Sequence, residues 1–588
     1  IVYFNSREGY LRKIFPLNEW VIVSGKINFF RNKYQITNPE YVTTLENKDY
    51  IVTNIPKYSL TKGLNEKKYR SISEQVINNL TTIEDWLSKD FIEKNNLLNW
   101  NQAIQKLHAS EDSKNINSKS YRRLVFDEIC ANFITLSENR KIVKRNKKNK
   151  LFRESISKKI INNLNFELTG DQLKVLKEIN SDLKSNKRMF RIMQGDVGSG
   201  KTIVSMLSLA NVIESNYQCA LMGPTEILAY QHFKLALKIF NNNFKIEFLS
   251  GKTETRKRKE ILRKLKEGKI DLLIGTHALF QKKIEFKKLG YVVIDEQHKF
   301  GVKQRSDFAK KGGINCDVLL MSATPIPRTM MMSHYGDMDV SKITEKPSAR
   351  KKITTLSKPE KKINELWNFL TKQIAEKNQI FWVCPLIEES KFLDFSSAKK
   401  KFDLINNKFP NKVGLIHGSL GKEEKEKVLK RFLEKKISIL VSTTVIEVGI
   451  DFPNANVIII ENANKFGLAQ LHQLRGRVGR GNRQATCILL FKESLSKNSI
   501  KRIKILKSSD DGFFIAEEDL KLRGFGDLTG YQQSGNKTFK FADPLLHKDL
   551  FELAERFIFK NELNINHNKF AFLLKLFDKA EIINVSEI

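Results

Sequence analysis

Residues Phe190 to Thr202 read FRIMQGDVGSGKT, a short apolar run that passes directly into three glycines, a lysine and a threonine. The run predicts a buried strand, and the glycines predict a tight loop whose backbone needs conformations that side chains oppose. Gly195-Asp196-Val197-Gly198-Ser199-Gly200-Lys201-Thr202 fills the whole GxxxxGK[ST] phosphate loop. In such a loop backbone N–H groups close around phosphate oxygens, Lys201 neutralises the terminal charges and the Thr202 hydroxyl reaches Mg²⁺. An eight-residue match can arise by chance. The strand before it and the helix after it are the context the motif requires.

A second stretch, Val292 to Gly301, reads VVIDEQHKFG and ends a β-branched run on paired acids. In phosphate-loop enzymes the acid ending a neighbouring strand holds Mg²⁺ and the next one activates water. Asp295 and Glu296 stand in those places. A solvated strand end is the plainer reading, but it leaves Gln297, His298 and the Ser322-Ala323-Thr324 that follows the next apolar run unexplained.

Working outward, strand-like runs (QCALMG, DLLIG, YVVID, VLLMS) alternate with amphipathic helices such as TRKRKEILRKLKEG from about 165 to 345. A second series, QIFWVCP, KVGLIHG, SILVSTT, NVIIIEN and ATCILLF, fills 350 to 495. Strands alternating with helices mean parallel sheets, and two series mean two α/β domains. Residues 1–65 are β-rich, with a turn at Arg31-Asn32-Lys33, and 66–150 are helical. KRNKKNK at 144–150 reads as a solvated linker or a phosphate-facing patch. Residues 496–588 are helical with one Gly-rich interruption.

Bulk properties agree. A chain of 588 residues exceeds one core and predicts about three or four domains. No apolar run is long enough for a membrane span and no signal peptide precedes the first strands, so a cytosolic protein with no membrane partner is expected. Five cysteines stand singly, which argues against zinc and against a disulfide framework. The net charge of +36 fits a polyanionic partner, but lysine, asparagine and isoleucine are raised everywhere. The motifs have to decide between those sources.

GDVGSGKT, DEQH and SAT, taken together, resemble the superfamily 2 helicases. The resemblance implies that His298, Ser322 and Thr324 couple nucleotide state to nucleic-acid grip, that Gln172 in FELTGDQ reads adenine, and that Thr225, Thr276 and His277 hold a strand backbone. In the second series, VSTTVIEVGID (441–451) and QLHQLRGRVGR (470–480) follow in the order of a second motor domain. Three close arginines can be a solvated face. The resemblance instead makes Arg477 and Arg480 arginine fingers, Gln473 their catalytic neighbour, and Thr443 and Thr444 DNA-coupling residues.

The wording narrows further. QGDVGSGKT, PTEILAYQH, GTHALFQ, VVIDEQHKFGVKQR, MSATPIPRT, WVCPLIEES, TTVIEVGIDFPNA and LAQLHQLRGRVGRG, in this order, closely resemble the RecG family of bacterial branch-migrating DNA helicases. DDGFFIAEEDLKLRGFGDLTGYQQSG (510–535) resembles the translocation motif shared by RecG and the transcription-repair coupling factor Mfd, in which Arg523 and Gln533 match. Phe525 stands where the family usually has proline. VYFNSREGYLRKIF, GKINFFRNKYQITNPEYV and PKYSLTKGL resemble the RecG wedge, an oligonucleotide-binding (OB) fold, with Phe4 where an aromatic stacks on the last base pair. The chain starts at Ile1 and is expected to enter that wedge partway.

The resemblance implies a multidomain α/β protein: a partial OB-fold wedge (1–65), a helical linker (66–150), two RecA-like parallel-sheet motor domains (151–345 and 346–495), and a helical C-terminal region with the translocation hairpin (496–588). It implies an ATP-dependent DNA helicase of the 3′–5′ type, using ATP and Mg²⁺, that reverses forks and migrates branches. Its partners would be branched duplex DNA and single-stranded DNA-binding protein, and its state a monomer in the bacterial cytosol. Two other readings stay open, an Mfd-like remover of stalled RNA polymerase and a catalytically silent junction scaffold. The complete set Lys201, Asp295, Glu296, Arg477 and Arg480 argues against the scaffold. PriA-like restart helicases would need a paired-cysteine zinc module.

Overall fold

The structure is a computed structural model that describes residues 1–4, 6–48, 58–61, 63–79, 84–108, 115–281, 283–296, 313, 315–327, 330–331, 336, 338–347, 351–385, 391–418, 420–443, 452–481, 483–492, 495–523, 539–560 and 567–579. The chain forms two compact units, one of residues 1–135 with 537–588 and one of residues 136–536.

In the first unit four short strands make two antiparallel pairs. β1 (Val21–Ser24) pairs with β4 (Tyr41–Thr44), and β2 (Ile27–Phe30) with β3 (Lys33–Ile36). Arg31 and Asn32 both take positive φ, +47° and +60°, which is the two-residue turn that matches strand twist in a hairpin. These strands fit part of an OB wedge. Helix α1 (Lys119–Val143) carries the unit's polar core. Buried Arg123 grips Asp85 through both Nη atoms (2.6 and 2.9 Å) and Asp127 through Nε (2.9 Å), while Trp86 Nε1 donates to Asp127 (3.0 Å). Glu128 accepts the backbone N–H groups of Lys540, Phe541 and Ala542. The C-terminal residues from 537 on therefore close the same unit as 1–135, a partition that the periodicity of 496–588 does not reveal.

The second unit contains two parallel sheets. The first has the order β11-β5-β10-β9-β6-β8-β7, from β5 (Phe190–Gly195), β6 (Gln218–Met222), β7 (Ile246–Leu249), β8 (Leu272–Gly275), β9 (Leu289–Ile294), β10 (Asp317–Ser322) and β11 (Asp339–Ile343). The second has the order β12-β17-β16-β13-β15-β14, from β12 (Thr354–Pro359), β13 (Gln379–Val383), β14 (Val413–Ile416), β15 (Ile439–Ser442), β16 (Ala455–Ile460) and β17 (Thr486–Phe491). Every pairing in both sheets is parallel. Helices cover both faces of such sheets, which is why the strands are continuous apolar runs and β6, β9, β10, β13 and β16 are buried throughout. The second sheet repeats the first strand for strand, β12 to β17 standing for β5 to β10. Parallel strands end on one edge, so every motif that follows a strand falls on the edge where α/β proteins bind ligands. These are the two RecA-like motor domains.

One expectation is corrected. KRNKKNK is solvated only in part: Arg145, Asn146, Lys148 and Asn149 are exposed, whereas its other three lysines are engaged by the protein. Lys147 and Lys150 are buried with both Nζ atoms on one oxygen of Asp317 at the start of β10, at 2.6 and 2.5 Å, and Lys144 pairs with Asp339 at 2.6 Å. A buried carboxylate at a strand start needs compensation, and the lysine run supplies it.

Candidate active site

The phosphate loop leaves β5 at Gly195 and ends in α3 (Lys201–Glu214). Gly198 and Gly200 have φ of +77° and +85°, and a Cβ on Gly200 would lie 2.2 Å from Gln172 Nε2. Glycine is thus demanded there by conformation and by space together. Lys201 is buried, with Nζ donating to the carbonyls of Gly195 (2.7 Å) and Asp196 (3.0 Å). Burial pulls its pKa below the ordinary ammonium range, and the carboxylates of Glu296 and Asp295 oppose the shift. The charge of Arg480 is also felt at Lys201. Thr202 lies in the first turn of α3, where backbone N–H groups face an anion.

Gln172 belongs to α2 (Gly170–Lys184), which opens with a capping box. Thr169 accepts from Gln172 N, and Gln172 Oε1 accepts from Thr169 N (2.9 Å). Its Nε2 then donates to Ser199 O (2.8 Å). The residue expected to read adenine is therefore buried and fastens α2 to the phosphate loop.

Asp295 follows β9. Its N–H bonds Met222 O, its Oδ1 accepts from Glu296 N (2.9 Å), and its Oδ2 meets His232 Nε2 at 2.9 Å. Burial raises its pKa, but the hydrogen bond and charge of His232 and the charge of Lys201 outweigh burial, and the net direction is down. Glu296 has φ of +50°, a left-handed backbone that costs a non-glycine residue roughly 1–3 kcal/mol. Its Oε2 accepts from Ala323 N at 3.5 Å, and Ser322 Oγ donates to Thr324 O (2.9 Å). The second acid and the Ser-Ala-Thr segment are thus joined.

The second motor domain reaches this loop through α6 (Leu468–Arg475), which follows α4 (Glu226–Phe240) and α5 (Lys391–Lys408) in the chain. His472 Nε2 lies 2.7 Å from Asp196 Oδ1, and Arg475 Nη2 lies 2.8 Å from His472 Nδ1. A guanidinium only donates, so Nδ1 accepts and Nε2 carries the hydrogen to Asp196. Arg475 Nη1 donates to Leu506 O and Ser509 O and pairs with Asp510 (3.0 Å), where α7 (Lys497–Ser508) hands over to α8 (Gly512–Arg523). Lys346 lies 3.4 Å from Asp196 Oδ2 and donates to Asp510 O (2.7 Å). A Cβ on Gly476 would stand 2.9 Å from Val197, and one on Gly512 2.9 Å from His472. Burial works against the charge of Asp196, but His472 and Lys346 hold its carboxyl well below the usual range. Arg475 and Arg477 are buried, which removes the solvated-face reading of these arginines, and Gln473 and Arg480 are half-buried.

Of the other expected residues, Thr225 caps α4 by accepting from Leu228 N (3.4 Å), and Thr276 and Thr443 are buried at strand ends. Phe4 is 61% exposed, with its N–H on Asn38 Oδ1. His298, Thr444, Gln533 and Phe525 lie outside the described residues, as do the side chains of His277 and Arg523. His232, His472 and Arg475 are site residues that the motif reading passed over. Each lies inside a quoted motif, PTEILAYQH or QLHQLRGRVGR, and their partners are remote in sequence.

The donor set fits magnesium. Thr202 and Asp295 offer hard oxygens, and among the described residues no group of three or more His, Cys, Asp or Glu side chains stands together to hold a metal. Mg²⁺ is typically held this way, by one or two protein oxygens, nucleotide phosphates and water.

Comparisons with known proteins agree with this geometry. The DEAD/DEAH box helicase model matches residues 169–332, the helicase conserved C-terminal domain 361–482, and the model for domain 3, C-terminal, of the ATP-dependent DNA helicase RecG 509–560. The chain is 41% identical to ATP-dependent DNA helicase RecG of Thermotoga maritima, over 92% of this chain and 69% of that protein. It is 39% identical to the Bacillus subtilis RecG, over 91% and 78%. A solved structure of RecG bound to a three-way DNA junction aligns with a TM-score of 0.67 and 37% identity, covering 94% of this chain and 73% of that one.

Proposed function

The chain belongs to the RecG family of ATP-dependent DNA helicases, and on that premise we propose that it is a double-stranded DNA translocase that reverses replication forks and migrates branches. The contact of His472 with Asp196 supports this reading, because it brings α6 of one motor domain, which runs on into Arg477 and Arg480, against the phosphate loop of the other. When bound, ATP supplies the phosphoryl group whose hydrolysis drives the cycle, and Mg²⁺ offsets its charge. Lys201 and the N–H groups of the loop hold phosphate oxygens, Glu296 orients water, and Arg477 and Arg480 stabilise spread negative charge from across the cleft. Loss of that charge releases the arginines and opens the domains.

Gln172 supports the loop from the adenine side. Thr225, Thr276 and His277 hold the strand backbone, His298, Ser322 and Thr324 couple nucleotide state to that grip, Thr443 and Thr444 act as DNA-coupling residues, Arg523 and Gln533 convert closure into movement of duplex, and Phe4 stacks on the last pair. Branched DNA is the partner, with single-stranded DNA-binding protein beside it, and the enzyme acts as a monomer in the bacterial cytosol. Among the described residues no helix is long and apolar enough to cross a membrane.

ATPase rates with forked, linear duplex and single-stranded DNA test the reading. The fork should stimulate most. Equal stimulation by all three DNAs would overturn it.

A further inference from the structure

His232 has no place in the roles above, yet it is 4% exposed and its imidazole makes a side-chain contact with the acid assigned to magnesium. An ionised carboxylate only accepts, so His232 Nε2 carries the hydrogen. The two tethers on Asp295 engage different oxygens, His232 on Oδ2 and Glu296 N on Oδ1. Together they fix the plane of the carboxylate.

The second motor domain carries the same construction. β16 stands where β9 stands, and Glu461 follows it as Asp295 follows β9. Glu461 N bonds Val383 O at the end of β13, as Asp295 N bonds Met222 O at the end of β6, each at 2.9 Å. Each acid is then tied by the helix that follows that neighbouring strand: Lys401 of α5 reaches Glu461 at 2.7 Å, and His232 of α4 reaches Asp295. A tie from helix to strand-end acid is thus part of this fold. Only in the first domain does the tied acid face a phosphate loop.

We infer that His232 is a positioning residue for the metal-nucleotide site, holding Asp295 at the angle at which it receives Mg²⁺. Outer partners of this kind commonly change metal affinity by about 10–100-fold when removed. A purely structural histidine would lower stability without touching the metal.

The inference rests on the assignment of Asp295 to magnesium, and the test separates the two. A fluorescent ADP analogue is titrated into the full chain with excess chelator and again with Mg²⁺, and the ratio of the two affinities is the metal-dependent gain. Asp295→Asn should abolish the gain; if it does not, the assignment of Asp295 fails first. His232→Ala should leave metal-free affinity unchanged and cut the gain about tenfold. His232→Gln, whose amide reaches about as far as Nε2, should restore it, whereas the shorter His232→Asn should not. Should His232→Ala fail to fold, the Gln and Asn pair decides by the same criterion. A full gain in His232→Ala or His232→Asn, or no recovery in His232→Gln, overturns the inference.

Discussion

The two motor domains share a strand order and differ at two strand ends. β5 runs into a glycine loop with two left-handed glycines, whereas β12, in the same place, ends at Pro359 and turns into a 3-10 segment, Glu360–Lys362. After β9 the acid holds one histidine and one backbone N–H. After β16 Glu461 is engaged by Lys401 (2.7 Å), Trp382 Nε1 (3.2 Å) and Cys384 Sγ (3.5 Å). On the proposed reading the same scaffold position is catalytic where coordination capacity is left over and structural where neighbours fill it. In the proposed function the second domain therefore acts on the nucleotide of the first, through α6 and the arginines that follow it.

The sharpest way to break this comparison is to neutralise both sides. Lys201→Ala and Glu296→Gln should lower ATP hydrolysis by at least about a hundredfold while junction binding in a gel shift stays near that of the parent. Glu461→Gln should leave hydrolysis within about threefold when assayed well below its melting point, and cost stability on the order of 2 kcal/mol by removing the anionic partner of half-buried Lys401. Equal ATPase losses in Glu296→Gln and Glu461→Gln would end the distinction.

Arg477→Ala and Arg480→Ala probe the reach of the second domain. Each should reduce turnover by about a thousandfold, with ADP affinity in direct titration changed far less. A loss confined to affinity would place these arginines in ground-state binding.

A smaller effect is expected at the cross-domain pair. Asp196→Asn and His472→Ala should each lower DNA-stimulated turnover about tenfold, and the double variant should be no worse than either single one. Additive losses would mean that the two residues act separately. Further along, Arg523→Ala and Gln533→Ala should retain most of their ATPase yet lose fork unwinding, read in one tube as ATP consumed and junction resolved.

The smallest prediction belongs to the other unit. Burial pushes Asp127 up to about 6, against the pull of Arg123. The folded state then holds this proton more tightly than the unfolded chain, so the stability from this group is present below about pH 4 and lost as pH rises towards 6. Asp127→Asn should remove that slope, a difference on the order of 3 kcal/mol, seen as melting temperatures of parent and variant that diverge across that pH range. Parallel profiles would show that Asp127 stays ionised throughout.

What could be read from sequence was local. Gly198 and Gly200 are demanded by their own backbone, Asp295 and Glu296 by the strand they end, and the alternation of runs in 165–345 and 350–495 by burial on both sheet faces. What could not be read depends on partners far along the chain. KRNKKNK looks solvated because nothing nearby announces Asp317, more than 160 residues on. His472 looks like one more residue in a helicase motif until Asp196 is placed against it. His232 and Lys401 sit on helices whose apolar pattern conceals a single polar tether. Residues 537–588 read as a helical end because periodicity says nothing about which core a helix joins.

Trp382 gives the second domain a spectroscopic handle. The sequence has five tryptophans and none between 101 and 366, so the phosphate-loop domain contributes no tryptophan emission, while the indole bonded to Glu461, stacked on Trp367, reports on the acid tether of the other domain. Emission from Glu461→Gln therefore follows that tether without a label. A tryptophan introduced beside the phosphate loop would add a signal from a domain that contributes no tryptophan emission of its own, so each half of the motor becomes visible by one substitution.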